Sequence, residues 1–96
     1  MERKIVNVME DLASSLITVM LTSPEYQLFC KCEQCRMDIL AYSLNNLPSH
    51  YVSTKEGKER AFEQLNTNQH RRWINKRIIH AIHVVGKYPK HYKAVQ

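Results

Sequence analysis

The chain has few residues that interrupt regular structure, with only two glycines and three prolines among its 96 residues. Apolar residues make up 44% and charged residues 24%, which are ordinary proportions for a globular protein and do not indicate disorder. Internal repeats and low-complexity tracts are absent, and this length has room for one domain. We therefore predict a single folded domain over residues 1–96.

Long apolar runs and targeting sequences are lacking as well. The segment that follows Met1 to Lys4 is broken by Asn7, Glu10 and Asp11, a pattern unlike a secretory signal or a membrane span. The three cysteines cannot all pair within one chain, which favours free thiolates in a reducing compartment. We expect a cytoplasmic protein without a membrane partner.

Motifs of enzyme active sites are also missing, because no nucleophile-base pair, paired-carboxylate motif or glycine-rich phosphate loop is present. We expect no enzymatic activity. The formal net charge of +5 indicates partners that carry negative charge, such as nucleotides, nucleic acid or acidic proteins. A solvated basic helix face would produce the same excess.

Apolar residues recur at intervals of three and four positions in several segments, as in helices that pack against a core. The predicted helices run from about Lys4 to Thr22, from near Glu33 to the closing run Asn45-Asn46-Leu47-Pro48, from Thr54 or Lys55 past Leu65, and from about Asn68 to Val85. The pattern predicts an all-α fold of about four helices.

Two connecting features complete this prediction. The short β-branched stretch from Ser49 to Thr54 favours extended chain on the surface. One brief strand is the alternative there, but it has no obvious partner strand within the chain. Gly86 is placed as the C-terminal stop of the last helix, and Pro89 lies beyond it. A domain of this size often needs a metal or a second subunit for stability, and the sequence indicates both.

All three cysteines of the chain fall within the six positions from Cys30 to Cys35. The C-x-x-C spacing of Cys32 and Cys35 is that of a zinc knuckle, because a two-residue turn brings both sulfur atoms to about 2.3 Å from one metal. Cys30 adds a third thiolate from the preceding extended chain. Free thiols and a redox pair are the alternatives, and the spacing favours a structural zinc site between the first two main helices.

The motif supplies only three of the four ligands that zinc prefers. Asp38 lies three residues after Cys35 on the same helical face, and we assign it as the fourth ligand. His50 and a residue from a second subunit are the alternatives. Lys31 and Arg36 are placed to offset the negative charge of three thiolates.

The run from Cys30 to Val52, preceded by Val6-Asn7-Val8-Met9-Glu10, resembles the ComFB family of late competence development proteins. The shared pattern is C-x-C-x-x-C-x-x-D-[IV]-L-A-x-x-L-N-x-[LV], and the resemblance extends over about half of the chain. This chain has Ser49-His50 where the common family form has Pro-Arg.

The resemblance implies a small helical homodimer that carries zinc on Cys30, Cys32 and Cys35. It also implies a receptor for cyclic dinucleotides, chiefly cyclic di-GMP, that is linked to competence or motility.

A cyclic dinucleotide is two-fold symmetric, so a symmetric dimer can meet it with the same residues from each subunit. Arginine forks suit its phosphates and guanine edges, and flat side chains suit its bases. The candidate ligand-binding residues lie in polar segments that flank the motif, and they are Arg36, Tyr51, Lys58 and Arg60. Simpler roles are charge balance at the metal for Arg36, core packing for Tyr51 and a solvated helix face for the other two.

Two other functions remain open. Direct DNA binding is supported by a basic face of Arg71, Arg72, Lys76 and Arg77 with Trp73 alongside. Trp73 also falls on the apolar stripe, however, and no helix-turn-helix motif is recognisable. A protein-protein adaptor of competence without a small ligand is the other alternative.

Overall fold

The computed structural model describes residues 5–87 and is mainly helical. In chain order it contains β1 (Val6–Asn7), α1 (Val8–Met20), a 3-10 helix (Pro24–Tyr26), α2 (Glu33–Asn45), β2 (Tyr51–Val52), α3 (Lys55–Leu65) and α4 (Asn68–Lys87). The prediction of about four helices is confirmed. Within the described range, no helix has the length and apolar character needed to cross a membrane.

The two short strands join the beginning of α1 to the segment before α3. They pair antiparallel, with Val6 opposite Val52 and Asn7 opposite Tyr51. The Asn7 side chain caps α1, since its Oδ1 accepts hydrogen bonds from the backbone N–H of Met9 at 3.2 Å and of His50 at 2.8 Å. The first helix therefore begins at Val8 instead of the predicted Lys4, which lies outside the described residues.

The expectation that the segment around Tyr51 has no partner strand is wrong, because its partner is part of the segment that was predicted to be helical.

α3 begins at Lys55, as predicted, because the Thr54 hydroxyl accepts a hydrogen bond from the backbone N–H of Gly57 at 2.9 Å. The weak helix former Gly57 is therefore held in the capped first turn.

The core lies between α1, α2 and α4, and α2 packs against both other helices. Its largest fully buried side chains belong to Met9, Leu21, Ile39, Ile74, Ile78 and Ile82. Each such aliphatic side chain contributes about 1.5–3 kcal/mol when removed from water. The apolar stripe predicted for the last helix is confirmed at these positions, whereas Trp73 is only partly buried at the edge of the core.

Gly86 does not end α4, which continues to Lys87. None of the described glycines has a positive φ, so the residue is not needed for a left-handed turn. Its role is close packing, because a Cβ atom at this position would lie 2.5 Å from Cδ2 of Phe29. Pro89, the expected exit from the helix, lies outside the described residues.

Candidate functional site

The fold brings the three cysteine side chains together at the beginning of α2. Their sulfur atoms all lie within 4.8 Å of one another. Cys32 is the N-cap of α2, and its Sγ accepts a hydrogen bond from the backbone N–H of Cys35 at 3.4 Å. Tetrahedral coordination with zinc-sulfur bonds of about 2.3 Å requires sulfur atoms about 3.8 Å apart. The cluster is therefore able to hold a metal ion with small side-chain adjustments.

The three thiols differ in exposure. Cys35 is 1% exposed, Cys30 is partly buried and Cys32 faces solvent. Burial, with hydrogen bonds to the sulfur atoms of Cys30 and Cys32, raises the pKa of Cys35 to about 12. Without a bound metal ion, the Cys35 side chain is thus a neutral thiol at neutral pH. A bound metal ion supplies the positive charge that stabilises the thiolate form.

Asp38 is not part of this cluster. Its carboxylate does not lie within 4.8 Å of all three sulfur atoms, and its Oδ1 accepts a hydrogen bond from Nε2 of Gln34 at 2.9 Å. The backbone N–H and C=O of His50 bond to the beginning of α1. Within residues 5–87 no carboxylate or imidazole joins the three cysteines at this distance, so the assignment of Asp38 as fourth ligand stays a prediction.

An aromatic group missed in the sequence supports the cysteine segment. Phe29, directly before Cys30, packs edge-on against Tyr26 at 5.4 Å and His83 at 5.7 Å between ring centroids. The ring of Phe29 also lies against Gly86, where α4 has no side chain in the way. These contacts fix the position of Cys30 relative to α4. The only sequence signal for this contact was Gly86, a glycine that follows the apolar stripe of the last helix.

Arg36 lies on α2, one residue beyond the cysteine cluster, and its side chain is partly buried. It lines a small cleft of about 70 Å³ between α1 and α2 together with Ser14, Ile17, Thr18, Met37 and Leu40. The Nε atom of Arg36 is buried and has no hydrogen-bond partner among the described residues. An unpaired buried donor costs about 1–3 kcal/mol, so an acceptor from a ligand or a second chain would be favourable there.

The other three candidates for ligand binding lie on β2 and α3. Tyr51 is 63% exposed, so the alternative role in the core is wrong for this residue. Lys58 Nζ lies 3.0 Å from Oδ2 of Asp11, and Arg60 is exposed. Asp11 is one helical turn from Ser14 of the Arg36 cleft, so Arg36 and Lys58 flank neighbouring turns of α1.

The basic face predicted on the last helix is divided into two surfaces. Arg72, Trp73 and Lys76 line an open groove of about 460 Å³, and the guanidinium of Arg77 lies 6.0 Å from the centroid of the Trp73 ring. Arg71 instead lines a separate, mainly apolar cavity between α1, α3 and α4.

Comparison with known proteins agrees with this architecture. The family model described as "Late competence development protein ComFB" matches residues 6–89. The solved structure of the late competence protein ComFB from Bacillus subtilis shares the fold, with a TM-score of 0.75 and 23% sequence identity over 91% of this chain and 96% of that chain. A comparison with curated protein sequences finds no match.

Because the family model covers most of the sequence, the chain belongs to the ComFB family of late competence development proteins, a family of competence regulators and not a known enzyme family.

Proposed function

We propose that this competence regulator is a zinc-stabilised, non-enzymatic homodimer that binds one cyclic di-GMP molecule per two chains. The observation that carries the ligand proposal is Arg36, which lines the cleft between α1 and α2 and whose buried Nε has no hydrogen-bond partner among the described residues. Phosphate oxygens and the guanine edge both supply acceptors for an arginine fork.

Zinc is the metal best suited to the cysteine cluster, since three thiolates with C-x-C-x-x-C spacing are soft ligands typical of structural zinc sites. Cys30, Cys32 and Cys35 would hold the ion, which ties the segment before α2 to the first turn of that helix. The adjacent Arg36 is then positioned by the same turn. The role of the metal is structural, and ligand recognition belongs to the side chains around it.

The dimer is supported by apolar side chains that the single chain leaves exposed. Val19 on α1 is 67% exposed and Met37 on α2 is 49% exposed, and Met37 lines the same cleft as Arg36. Burying them against a second copy would remove apolar surface from water. A cleft of about 70 Å³ is also too small to enclose a dinucleotide. At the Arg36 cleft, a ligand of that size therefore needs a site that is shared between two chains.

Tyr51, Lys58 and Arg60 supply the remaining contacts in this proposal. The exposed ring of Tyr51 is free to stack on a base. Lys58 is paired with Asp11 in a contact that leaves both side chains more than two-fifths exposed, so exchanging that partner for a phosphate costs little.

Titration calorimetry with cyclic di-GMP, on protein that retains its zinc, tests the ligand proposal. We expect a Kd of about 1 µM, one ligand per two chains, and at least tenfold weaker binding by Arg36→Ala. Arg72→Ala is the matched control, because it removes an exposed cation from a different surface. Absence of heat with both cyclic di-GMP and cyclic di-AMP would reject a cyclic dinucleotide ligand.

DNA binding is the second candidate, favoured by the open groove that combines Arg72 and Lys76 with Trp73. If DNA is the ligand, affinity falls steeply from low to moderate salt, and Arg72→Ala weakens binding while Tyr51→Ala does not. The two candidates therefore make opposite predictions for Arg72→Ala.

A further inference from the structure

The cavity between α1, α3 and α4 is separate from the Arg36 cleft and from the cysteine cluster. Its volume is about 230 Å³. Five apolar side chains from the three helices form most of its wall: Leu12, Leu16, Phe62, Leu65 and Ile74. An empty apolar cavity of about 150 Å³ is large enough to bind benzene, so this one has room for one aromatic ring system and a short substituent.

Asn75 is one of the lining residues, and its side chain carries a buried acceptor that has no partner among the described residues. Oδ1 of Asn75 is inaccessible to solvent and accepts no hydrogen bond from any residue in the described range 5–87. Buried acceptors in folded proteins are almost always paired, so this amide gains a hydrogen bond if the side chain turns toward a donor in the cavity. An apolar residue at this position would fill the same space without that cost.

A cation lies beside this acceptor. Arg71 is one helical turn before Asn75 on α4 and lines the same cavity. Its side chain is exposed and, among the described residues, forms no ion pair or side-chain hydrogen bond. The neighbouring cation Arg72 faces the other groove, so the two arginines are not equivalent. The cavity thus combines an apolar wall, one buried acceptor and one free guanidinium.

We propose that this cavity binds a small aromatic carboxylic acid that carries a hydrogen-bond donor on its ring. The ring packs among the apolar side chains and the carboxylate pairs with Arg71. The amide of Asn75 turns toward the cavity, and its Oδ1 accepts the hydrogen bond from the ring donor. The cavity is too small for a dinucleotide, so this site is independent of the proposed cyclic di-GMP site and either proposal can fail alone.

The test uses the full chain with zinc retained and two probe acids, indole-3-acetate and 4-hydroxyphenylacetate. Titration is followed by amide chemical shifts in two-dimensional NMR. We expect a Kd of about 0.1–1 mM, with shifts concentrated at Leu16, Phe62 and the side-chain amide of Asn75. Phenylacetate lacks the ring donor and 4-hydroxyphenylacetamide lacks the charge, and each should bind at least fivefold more weakly.

Variants distinguish binding through the proposed contacts from non-specific binding. Arg71→Gln and Asn75→Leu should each weaken both probes at least fivefold, whereas the matched control Arg72→Gln should not. Leu16→Trp fills the cavity and should abolish the shifts while the far-UV circular dichroism stays unchanged. The proposal is overturned if 5 mM of either acid leaves the lining residues unshifted, which would mean a cavity that holds only water. Equal affinities for Arg71→Gln and Arg72→Gln would overturn it as well.

Discussion

Replacing Gly86 by alanine should destabilise the protein, although alanine is the better helix former. The added Cβ would lie 2.5 Å from Cδ2, 2.6 Å from Cε2 and 3.3 Å from Cγ of Phe29. Turning the ring away would break its edge contacts with Tyr26 and His83. The ring must therefore move, and Cys30 follows it in the chain.

The expected magnitude is the difference between two opposing effects. Glycine to alanine favours folding by about 1 kcal/mol in a helix interior and by less at Gly86, which is next to the last residue given for α4, whereas overpacking of a well-packed site costs about 1–3 kcal/mol. We expect Gly86→Ala to lower the free energy of unfolding by about 1–2 kcal/mol. Gly57→Ala is the matched control, since the nearest atom to its Cβ is Oγ1 of Thr54 at 3.0 Å and no ring is nearby. It should change stability by less than about 1 kcal/mol in either direction.

Urea unfolding of the zinc-loaded protein, followed by far-UV circular dichroism, measures these differences. In a Phe29→Leu background, where a smaller side chain leaves space, Gly86→Ala should become neutral or stabilising. An unchanged or higher free energy of unfolding for Gly86→Ala alone would refute the packing explanation. An equal effect of Gly86→Ala in the original and the Phe29→Leu backgrounds would also refute it.

Three further substitutions follow from polar groups in or near the core. Ser43→Ala should raise the free energy of unfolding by about 1 kcal/mol, because the Ser43 hydroxyl is buried and has no hydrogen-bond partner within residues 5–87. A loss of stability in urea would contradict this. Asn7→Ala should lower the free energy of unfolding by about 1–2 kcal/mol, because the mutation removes the cap of α1 and the hydrogen bond between Asn7 and His50. Equal urea midpoints for the two proteins would contradict this capping role.

Burial, aided by the charge of Glu25, raises the pKa of Tyr26, so the folded state binds this proton more tightly than the unfolded state. The stability that the Tyr26 proton contributes is fully present below the unfolded-state pKa of about 10, and it is lost as pH rises through the higher folded-state pKa. Tyr26→Phe should flatten the decline in stability as pH rises above about 10 in thermal unfolding. Parallel declines in both proteins would show that another group is responsible.

The helices and the cysteine cluster were predictable because their signals are local. The predicted starts of α2 at Glu33 and α3 at Lys55 match the structure, since caps and apolar periodicity lie within a few residues of each boundary. The close approach of Cys30 to Cys35 follows from their spacing alone.

Features that depend on distant residues were not predictable in this way. β1 and β2 have two residues each, too few for a periodic signal, and the bond between Asn7 and His50 joins positions 43 apart. The packing of Phe29 on Gly86 and the separation of Arg71 from Arg72 depend on which helix lies opposite. Composition and spacing contain no information about that neighbour.

Native mass spectrometry with added cyclic di-GMP tests the proposed regulator most directly, because one spectrum counts chains, metal ions and ligand together. The expected species contains two 11.3 kDa chains, two zinc ions and one cyclic di-GMP. Cys32→Ser should lose the zinc, and Arg36→Ala should keep the zinc and lose the ligand. A metal-free monomer, or a zinc-loaded dimer that takes up no cyclic di-GMP at concentrations well above 1 µM, would contradict the proposal.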